Sequence, residues 1–378
     1  MAVRMYPSWT MPVGVHPSRN REGAQIGIVR ERRCMLELDG SIGEGGGQIV
    51  RSALTLSLMT GQPFKLFHIR AGRRRPGLQP QHLTCVKAAA EVGRARYKGA
   101  EVGSTTLYFE PQSIQAGSYH WDIGTAGSVS LVLQTVYLPL LLRTNERSEV
   151  VITGGTHVPH APCVHFLQLT WSAYLQRLGL KVTVQLKRPG FYPRGGGQIQ
   201  AVLEPAATVQ PLHLLDCPGL HTATVWSACA GLPRSVAERQ AQRLNQRLHA
   251  EGVQTVTQLE EWHALSPGTM AAVVFRQTPV PTMFFALGEK GKPAESVADE
   301  VADEALAFLR SQAPVDPHSA DQLLLPLAFS GQASIFRTSC LTRHLITNAQ
   351  VVNSFLPVAI HCDGSEGDSG IVRVGNVL

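Results

Sequence analysis

The chain has 378 residues, of which 44% are hydrophobic, so it is long enough to bury a large core in one to three domains. The net charge is +6 and the isoelectric point is about 9.0. The charge is uneven, because residues 1–33 hold six arginines and two glutamates, which leaves only +2 on the rest of the chain. We therefore expect an anionic partner to bind local clusters of charge rather than a general positive field.

The seven cysteines are scattered and include no C-x-x-C pair, which argues against a disulfide framework or a zinc ribbon. They predict a reducing compartment, the cytoplasm. The longest apolar run, LVLQTVYLPLLL at 131–142, is too short to cross a bilayer and contains Gln134 and Pro139. We expect it to be a buried helix and expect no membrane association. Residues 1–34 lack the apolar core of a secretory signal and are expected to be a disordered extension.

Apolar periodicity predicts strand, helix, strand, helix and then two strands, and this order recurs. The first copy has strands at 35–41, 63–70, 94–103 and 105–111, with helices at 47–60 and 82–93. The second has strands at 118–124, 149–155, 180–186 and 197–205, with helices at 128–142 and 163–179. A partial third has helices at 320–331 and 344–356, with strands at 333–339, 357–364 and 370–376. Such repeats are too long for a solenoid and predict modules in which two helices pack on one sheet.

The composition changes between 213 and 311, where a charged amphipathic helix, three strands and a second helix are predicted. We therefore predict an α+β fold. Three βαβαββ modules would form a large domain from 35–212 and 312–378, and a small α/β domain would be inserted at 213–311.

The stretch GEGGGQIVRS at 43–52 joins a predicted strand to a predicted helix. A dinucleotide fingerprint needs a third glycine where Gln48 stands, and the chain contains no P-loop string. Two interpretations stay open. One is a tight turn with a capping acid, and the other is an anion site at the free N–H groups of a helix start. In the second, Glu44 would need a divalent cation to bridge it to phosphate.

Four arginines lie in HIRAGRRRPGLQPQH at 68–82, in which Gln81 and His82 open the next predicted helix. Guanidinium groups bind phosphate oxygens in a bidentate manner. Arginine-rich loops are often only solvated. The position of this loop in the same module as the glycine-rich helix start favours a phosphate site.

Three histidines and Cys163 lie in GGTHVPHAPCVH at 154–165 and suggest a zinc site. Their spacing matches no closed tetrahedral pattern, and Pro159 and Pro162 break any helix. We therefore favour a rigid loop beside a ligand over a metal centre.

The segment TRHLITNAQVVNSFL at 342–356 has one apolar stripe and a plausible N-cap, Thr342. His344 falls in the first turn, beside the stripe. It could be an ordinary surface histidine. Alternatively, the positive helix end would keep the imidazole neutral and nucleophilic, and would stabilise a phosphate group bonded to it.

Taken together, several strings resemble the RNA 3′-terminal phosphate cyclase family over residues 35–378. They are LDGSIGEGGGQIVRSALTLS, IRAGRRRPGLQPQH, GTAGSVSLVLQT, GGT followed by Pro159, GFYPRGGGQ, HSADQ and HLITN. The resemblance implies three modules like those of the enolpyruvyl transferases, with a small inserted domain. It implies a reaction in which ATP and Mg²⁺ or Mn²⁺ convert an RNA 3′-phosphate to a 2′,3′-cyclic phosphate through a histidine–AMP intermediate.

The resemblance also implies roles for individual residues. His344 matches the histidine that receives AMP, and Glu44 matches the acid near metal and phosphate. The phosphate and RNA end would be bound by Gln48, Arg51, Arg70, Arg73, Gln81 and His82. The nucleotide would be bound by Gln134, Pro159, His318, Ser319, Ala320, Asp321, Gln322 and Asn348. Ser319–Ala320 depart from the pattern, in which a larger apolar residue is expected first, and residues 1–34 have no counterpart.

Two other functions stay open. The family includes a branch without catalysis that binds RNA in ribosome assembly, but that branch lacks the histidine that is present here as His344. A sugar-ring transferase could also be built on the same module type, and it would form no covalent nucleotide. The expected partners are RNA with a 3′-phosphate and ATP, and the oligomeric state is open, with a homodimer as one option.

Overall fold

The computed structural model of the protein describes residues 35–375, and within that range the fold is mixed α+β, as the sequence predicts. It contains four sheets of four strands each, with helices packed against them. The predicted extension at 1–34 lies outside the described residues. Within the described part of the chain, no helix is both long and apolar enough to cross a membrane.

The first sheet is built from β1 (Leu36–Asp39), β2 (Phe64–Phe67), β3 (Arg96–Lys98) and β4 (Leu107–Glu110). Its strand order is β1-β2-β4-β3, in which β1 and β2 are parallel and the other pairs are antiparallel. Helix α1 (Gln48–Thr60) follows β1, and α2 (Pro80–Val92) follows β2. The short strands alternate buried and more exposed residues, because one face of the sheet carries the helices.

The second sheet is built from β5 (Ser118–Asp122), β6 (Ser148–Gly154), β7 (Lys181–Arg188) and β8 (Gly197–Glu204). Its order, β5-β6-β8-β7, and its pairing directions repeat those of the first sheet. Helix α3 (Val129–Leu142) follows β5 and is almost wholly buried, as its apolar composition predicts. The second predicted helix contains α4 (Val164–Phe166), a π-helical segment (Leu167–Trp171) and α5 (Ser172–Arg177).

Another sheet combines distant parts of the chain, namely β9 (His213–Leu214), β14 (Ser334–Thr338), β15 (Ile360–Asp363) and β16 (Gly370–Val374). Its order is β15-β16-β14-β9, with β9 and β14 parallel and the other pairs antiparallel. Helix α8 (Pro317–Leu327) precedes β14, and α9 (Arg343–Phe355) follows it. Strand β9, which was not predicted, has only two residues and no periodicity to detect.

The segment between β9 and α8 forms the fourth sheet from β10 (Thr222–Ala230), β11 (Gln254–Trp262), β12 (Gly268–Phe275) and β13 (Thr282–Leu287). Helices α6 (Arg234–Ala250) and α7 (Ala294–Ser311) cover one face. All eight residues of β12 are buried, because its alternate side chains enter two different hydrophobic clusters. Strand β10 was not predicted either, although it pairs with both β11 and β12.

The four helices α1, α2, α3 and α9 pack against one another and bring the ends of different sheets together. Helix α1 contacts α2, α3 and α9, and α8 contacts α9. This arrangement places the first turn of α9, from the end of the chain, beside the first turn of α1, from its beginning.

Candidate active site

The turn before α1 needs glycine at several positions for steric reasons. Gly43 and Gly45 have φ values of +63° and +54°, a region that favours glycine. A Cβ added at Gly43 would lie 2.0 Å from Oγ1 of Thr347, which belongs to α9. A Cβ added at Gly47 would lie 2.1 Å from Nε2 of His82. The glycines therefore allow α9 and α2 to approach the start of α1 closely.

His344 lies in the first turn of α9, where Thr342 is the N-cap and its hydroxyl accepts a hydrogen bond from the Leu345 amide. The ring is about half exposed and is held at both nitrogens. Its Nδ1 is 2.9 Å from Oε1 of Gln48, and its Nε2 is 2.9 Å from Oε2 of Glu44. The predicted cap and the position of His344 beside the buried stripe are confirmed.

Gln48 joins His344 to Asp321. Its amide nitrogen donates to Oδ1 of Asp321 at 2.6 Å, which directs its amide oxygen towards Nδ1 of His344. An amide oxygen only accepts, so Nδ1 donates the proton of this hydrogen bond, while Nε2 faces the carboxylate of Glu44. Burial raises the pKa of Asp321, while nearby His344 and Arg51 oppose that rise.

Asn348 holds α9 against its neighbours one turn after His344. Its side-chain nitrogen donates to the carbonyl oxygen of Asp321 at 3.0 Å, and its side-chain oxygen accepts from the Ser52 hydroxyl at 2.7 Å. Ser52 stands one turn after Gln48 on α1. These bonds fix the relative positions of α1, α8 and α9, and with them the position of the imidazole.

Arginines surround the glycine turn, and they differ in whether an oxygen atom of the protein already binds the guanidinium group. Arg73 donates to the same Glu44 oxygen that contacts His344, at 2.9 Å, and Arg70 donates to the carbonyl oxygens of Arg75 and Gly77 in its own loop. Arg51 is partly buried beside the turn, and within residues 35–375 no carboxylate forms an ion pair with it. A partly buried guanidinium without a carboxylate partner is suited to an anionic ligand.

His82 and Gln81 open α2 behind the turn. His82 is buried, and burial together with Arg51 and Arg70 lowers its pKa to about 3, so the ring is neutral at pH 7. Its Nδ1 accepts from the Gln79 amide and so caps the helix. The side-chain oxygen of Gln81 accepts from the Ser128 amide at 2.7 Å.

A small cleft of about 60 Å³ opens beside this network, between the helices. It is lined by Gln48, Arg51, Ser52, Thr55, Gln134, Tyr137, Trp171, Asp321, Gln322, Leu325 and Asn348. Across it, the side-chain nitrogen of Gln134 donates to the side-chain oxygen of Gln322 at 2.6 Å. Pockets that enclose ligands are usually several times larger, so we expect this bond to open when a nucleotide binds.

Some predicted site residues lie apart from the lining of this cleft. Pro159 is on an exposed loop. The ring of His318 is more than half exposed and lies 3.6 Å from Glu304, while Ser319 and Ala320 are buried. Ser319 lines a second small cavity that shares Trp171 and Gln322 with the cleft. Their proposed part in nucleotide binding stays a prediction.

Conversely, five lining residues were not predicted: Ser52, Thr55, Tyr137, Trp171 and Leu325. Ser52 and Thr55 could have been found from helical spacing, since they share a face of α1 with Gln48 and Arg51. Trp171 ends the π-helical segment, which no apolar pattern reveals.

Two of the three histidines at 154–165, His157 and His165, form a buried hydrogen-bonded pair. His157 Nε2 is 2.9 Å from His165 Nδ1, and Cys163 is the N-cap of α4. Both rings pack on Trp262, with centroid distances of 5.0 Å. Burial lowers the pKa of His157 well below its ordinary value and that of His165 to about 4. The preferred interpretation of this segment as a rigid loop agrees with these contacts.

Glu44 is the acid available for a divalent cation at the glycine turn. Within the described part of the chain, no cluster of three or more acidic, histidine or cysteine side chains could hold a metal ion. One carboxylate nevertheless fits Mg²⁺, which is commonly held by one or two carboxylates and completes its shell with water and substrate phosphates.

Comparison with known proteins decides the family. The sequence model of the RNA 3′-terminal phosphate cyclase family matches residues 42–362. The chain belongs to the RNA 3′-terminal phosphate cyclase family. A relative from Pseudomonas fluorescens named RNA 3′-terminal phosphate cyclase is 48% identical over 330 residues, which cover 87% of this chain and 94% of the relative.

Two further relatives bear the same name. The one from Ralstonia nicotianae is 46% identical and covers 90% of this chain and 96% of the relative. The one from Ectopseudomonas mendocina is 44% identical, and the aligned residues cover 90% of this chain and 97% of that relative. Membership of the RNA 3′-terminal phosphate cyclase family, which the motifs predict, is confirmed.

Proposed function

We propose that this chain is an ATP-dependent RNA 3′-terminal phosphate cyclase in which His344 carries AMP. The observation that carries the proposal is the position of His344. Its ring stands at the start of α9, against the glycine turn, with Gln48 on one nitrogen and, on the other, Glu44, which is itself paired with Arg73. The names of the relatives supply the activity, and this geometry supplies a nucleophile beside groups suited to phosphate.

In the first step, Nε2 of His344 attacks the α-phosphorus of ATP, a P–N bond forms and pyrophosphate leaves. Gln48 holds the proton on Nδ1 and so presents the lone pair of Nε2. Before the attack, Glu44 must take the proton from Nε2 and withdraw, because Nε2 attacks with its lone pair and the carboxylate now occupies the direction of attack. Arg51 and the free N–H groups at the start of α1 would stabilise the negative charge on the phosphates.

In the second step, an oxygen of the RNA 3′-phosphate attacks the phosphorus of the histidine–AMP, and the P–N bond breaks. In the third, the neighbouring 2′-hydroxyl attacks the activated 3′-phosphorus, AMP leaves and the cyclic phosphate forms. Adenylylation supplies a leaving group that a phosphate monoester lacks. The short tether of the 2′-hydroxyl gives ring closure a high effective concentration.

Glu44 would hold Mg²⁺ or Mn²⁺ together with the nucleotide phosphates. Such a cation neutralises charge that develops on the transferring phosphoryl group. If Glu44 moved from Nε2 to this cation, its carboxylate would no longer block the attack by His344.

The fold supports a matching proposal about domains. The first, second and discontinuous sheets share one strand order and one set of pairing directions, which supports three related βαβαββ modules like those of the enolpyruvyl transferases. They would form the large domain, 35–212 and 312–378. The segment 213–311, whose helices share a separate hydrophobic cluster, would be the small inserted domain, except that β9 at its start pairs with β14 and so belongs to the third module.

The test is conversion of an oligoribonucleotide 3′-phosphate in the presence of ATP and Mg²⁺ or Mn²⁺. Wild-type protein should give a phosphatase-resistant 2′,3′-cyclic end, and His344→Ala should give none, because no other group at the turn replaces the nucleophile. Arg343→Ala is the matched control, since it changes the adjacent residue but removes only an exposed ion pair with Glu366, and it should keep activity. RNA binding without conversion would instead support the assembly-factor alternative.

A further inference from the structure

The loop Pro189–Gly196, here called the Tyr192 loop, is firmly anchored but presents an aromatic side chain to solvent. Phe191 is buried, and its ring lies 5.3 Å from that of His157 and 6.3 Å from that of Trp262. The next residue, Tyr192, is 71% exposed. The anchored backbone fixes where the tyrosine side chain begins and leaves its ring accessible to a ligand.

Three cationic residues lie close to Tyr192 in the sequence, in its loop or at the end of β7. Arg194 is exposed, and within residues 35–375 its side chain forms no hydrogen bond or ion pair. Arg188 is exposed and donates to the carbonyl oxygen of Gly196, so it stabilises the loop while keeping its charge. Lys187 is exposed and contacts only the uncharged side chain of Gln185. The surface around Tyr192 therefore combines an open aromatic face with positive charge that no carboxylate in the described residues neutralises.

Two sheets hold the loop in position. The Arg194 amide donates to the hydroxyl of Ser266, which precedes β12 of the fourth sheet. A Cβ added at Gly196 would lie 2.4 Å from Cδ1 of Leu265, itself 56% exposed. The segment 213–311 therefore contributes both support and exposed apolar surface beside Tyr192.

The Tyr192 loop is continuous with the candidate active site through tightly packed turns. A Cβ added at Gly195 would lie 2.8 Å from Cα of Ala126, and one at Gly127 would lie 2.9 Å from Cβ of Gln81. Gln81 adjoins His82, which touches Gly47 at the start of α1. Asp122, an acid shortly before Ala126 in the sequence, accepts from the Gly124 amide at 2.8 Å.

A single-stranded RNA that ends at His344 would meet this surface as it leaves the site. Aromatic rings stack on bases whatever their sequence, and guanidinium groups bind the phosphates between them. We propose that Tyr192 and Arg194 form a docking site for the RNA strand upstream of its 3′-phosphate, with Tyr192 stacking on a base and Arg194 binding a backbone phosphate. This inference rests on the proposed function, because it takes His344 as the place where the RNA ends.

The test compares a twelve-nucleotide RNA 3′-phosphate with a dinucleotide 3′-phosphate, which presents the reacting end but almost no upstream strand. Fluorescence anisotropy of the labelled twelve-mer should show about tenfold weaker binding for Tyr192→Ala and for Arg194→Gln, and near wild-type binding for Tyr192→Phe. The KM for cyclisation of the twelve-mer should rise by a similar factor, while the KM for the dinucleotide should stay within about twofold. Tyr97→Ala is the matched control, since Tyr97 is 41% exposed on the edge strand β3.

Three results would overturn the docking site: unchanged anisotropy in Tyr192→Ala, equal losses for long and short RNA, or a changed oligomeric mass in that variant, which would make the loop a contact between copies. AMP adduct formation with ATP alone is measured in parallel. Failure of the proposed function removes the adduct from wild-type protein, whereas failure of the docking site leaves the adduct intact and the anisotropy unchanged. The two failures are therefore distinguishable.

Discussion

His344 is held by two acceptors that have opposite effects on its reactivity. Gln48 accepts from Nδ1 and thereby leaves Nε2 as the nucleophilic nitrogen. Glu44 contacts Nε2 directly, an arrangement that is favourable only while that nitrogen carries a proton. The ring is thus oriented, and under the proposed mechanism Glu44 would have to leave Nε2 before that nitrogen attacks ATP.

The orienting role of Gln48 gives a first prediction. Gln48→Ala removes both the acceptor for Nδ1 and the donor to Asp321, so the imidazole can rotate. We expect the rate of AMP adduct formation to fall about 10²-fold, as misplacement of a reacting group typically does. Quench-flow or gel assays with labelled ATP measure it. Gln185→Ala, at an exposed position on β7, is the control, and equal rates for Gln48→Ala and wild type would refute the orienting role.

At the scale of elements, the site is a junction between three helix starts. The first turns of α1, α2 and α9 meet where glycine permits close approach, so that N–H groups and arginines converge on one place. The sequence revealed each helix start separately, through Thr342, the glycine string and Gln81 with His82. It could not reveal their meeting, because no periodicity relates one helix to another.

Gly47 tests this junction. Its φ of −78° suits alanine, so Gly47→Ala adds only a methyl group, which would collide with the ring of His82. We expect the unfolding free energy to fall by about 1–3 kcal/mol, as overpacking does, and adduct formation to fall about tenfold or more. Urea denaturation and the adduct assay measure the two effects. Gly117→Ala is the control, because its nearest neighbours would be 3.9 Å away, and matching behaviour of the two variants would contradict the account.

Strand β10 and the π-helical segment show where a local sequence pattern fails to predict the structure. Helices α1, α3 and α9 have long apolar stripes and were predicted to within a residue or two. Strand β10, TATVWSACA, carries small residues and lies between partners that flank it on both sides, so its burial depends on distant chain. The π-helical turn at Leu167–Trp171 was predicted as ordinary helix, because its wider spacing follows tertiary packing, including the bond from the Met283 amide to Thr170.

At the scale of the whole molecule, buried neutral histidines couple stability to pH. His82, with a pKa of about 3, and His165, with a pKa of about 4, stay unprotonated in the fold, whereas the unfolded chain binds protons below about pH 6.5. Their contribution is fully present above that pH. The free energy of unfolding should therefore fall as pH decreases from about 6.5 towards 4, by up to about 1.4 kcal/mol per pH unit for each histidine.

Urea denaturation at pH values between about 6 and 4.5 measures this slope. In His82→Gln, the unfolding free energy should fall less steeply with decreasing pH, by up to about 1.4 kcal/mol per pH unit, because the variant lacks one proton-binding group in the unfolded chain. His120→Gln, at an exposed position on β5, is the control. If the unfolding free energies of His82→Gln and wild type change with pH at the same rate, His82 does not contribute the predicted part of the pH dependence.

The site also depends on the whole chain in a way that sequence spacing cannot show. The bond from Gln48 to Asp321 joins residues 273 positions apart, and that from Ser52 to Asn348 joins residues 296 apart. Residue chemistry alone placed His344 at a helix start, with a surface histidine and a nucleophile both open, and pointed to Glu44 as an acid beside the glycine turn, while the family resemblance assigned roles to His344, Glu44 and Gln48. The contacts among them, and the cleft wall from Tyr137 and Trp171, follow only from the packing of α1, α3, α8 and α9.

The most direct test of the central claim is to locate AMP on the protein. Wild-type protein incubated with labelled ATP and Mg²⁺ or Mn²⁺, without RNA, should form an acid-labile, alkali-stable adduct. Peptide mass spectrometry should place AMP on the peptide that contains His344, and His344→Ala should form none. An adduct on another residue, or an unchanged adduct in His344→Ala, would contradict the account.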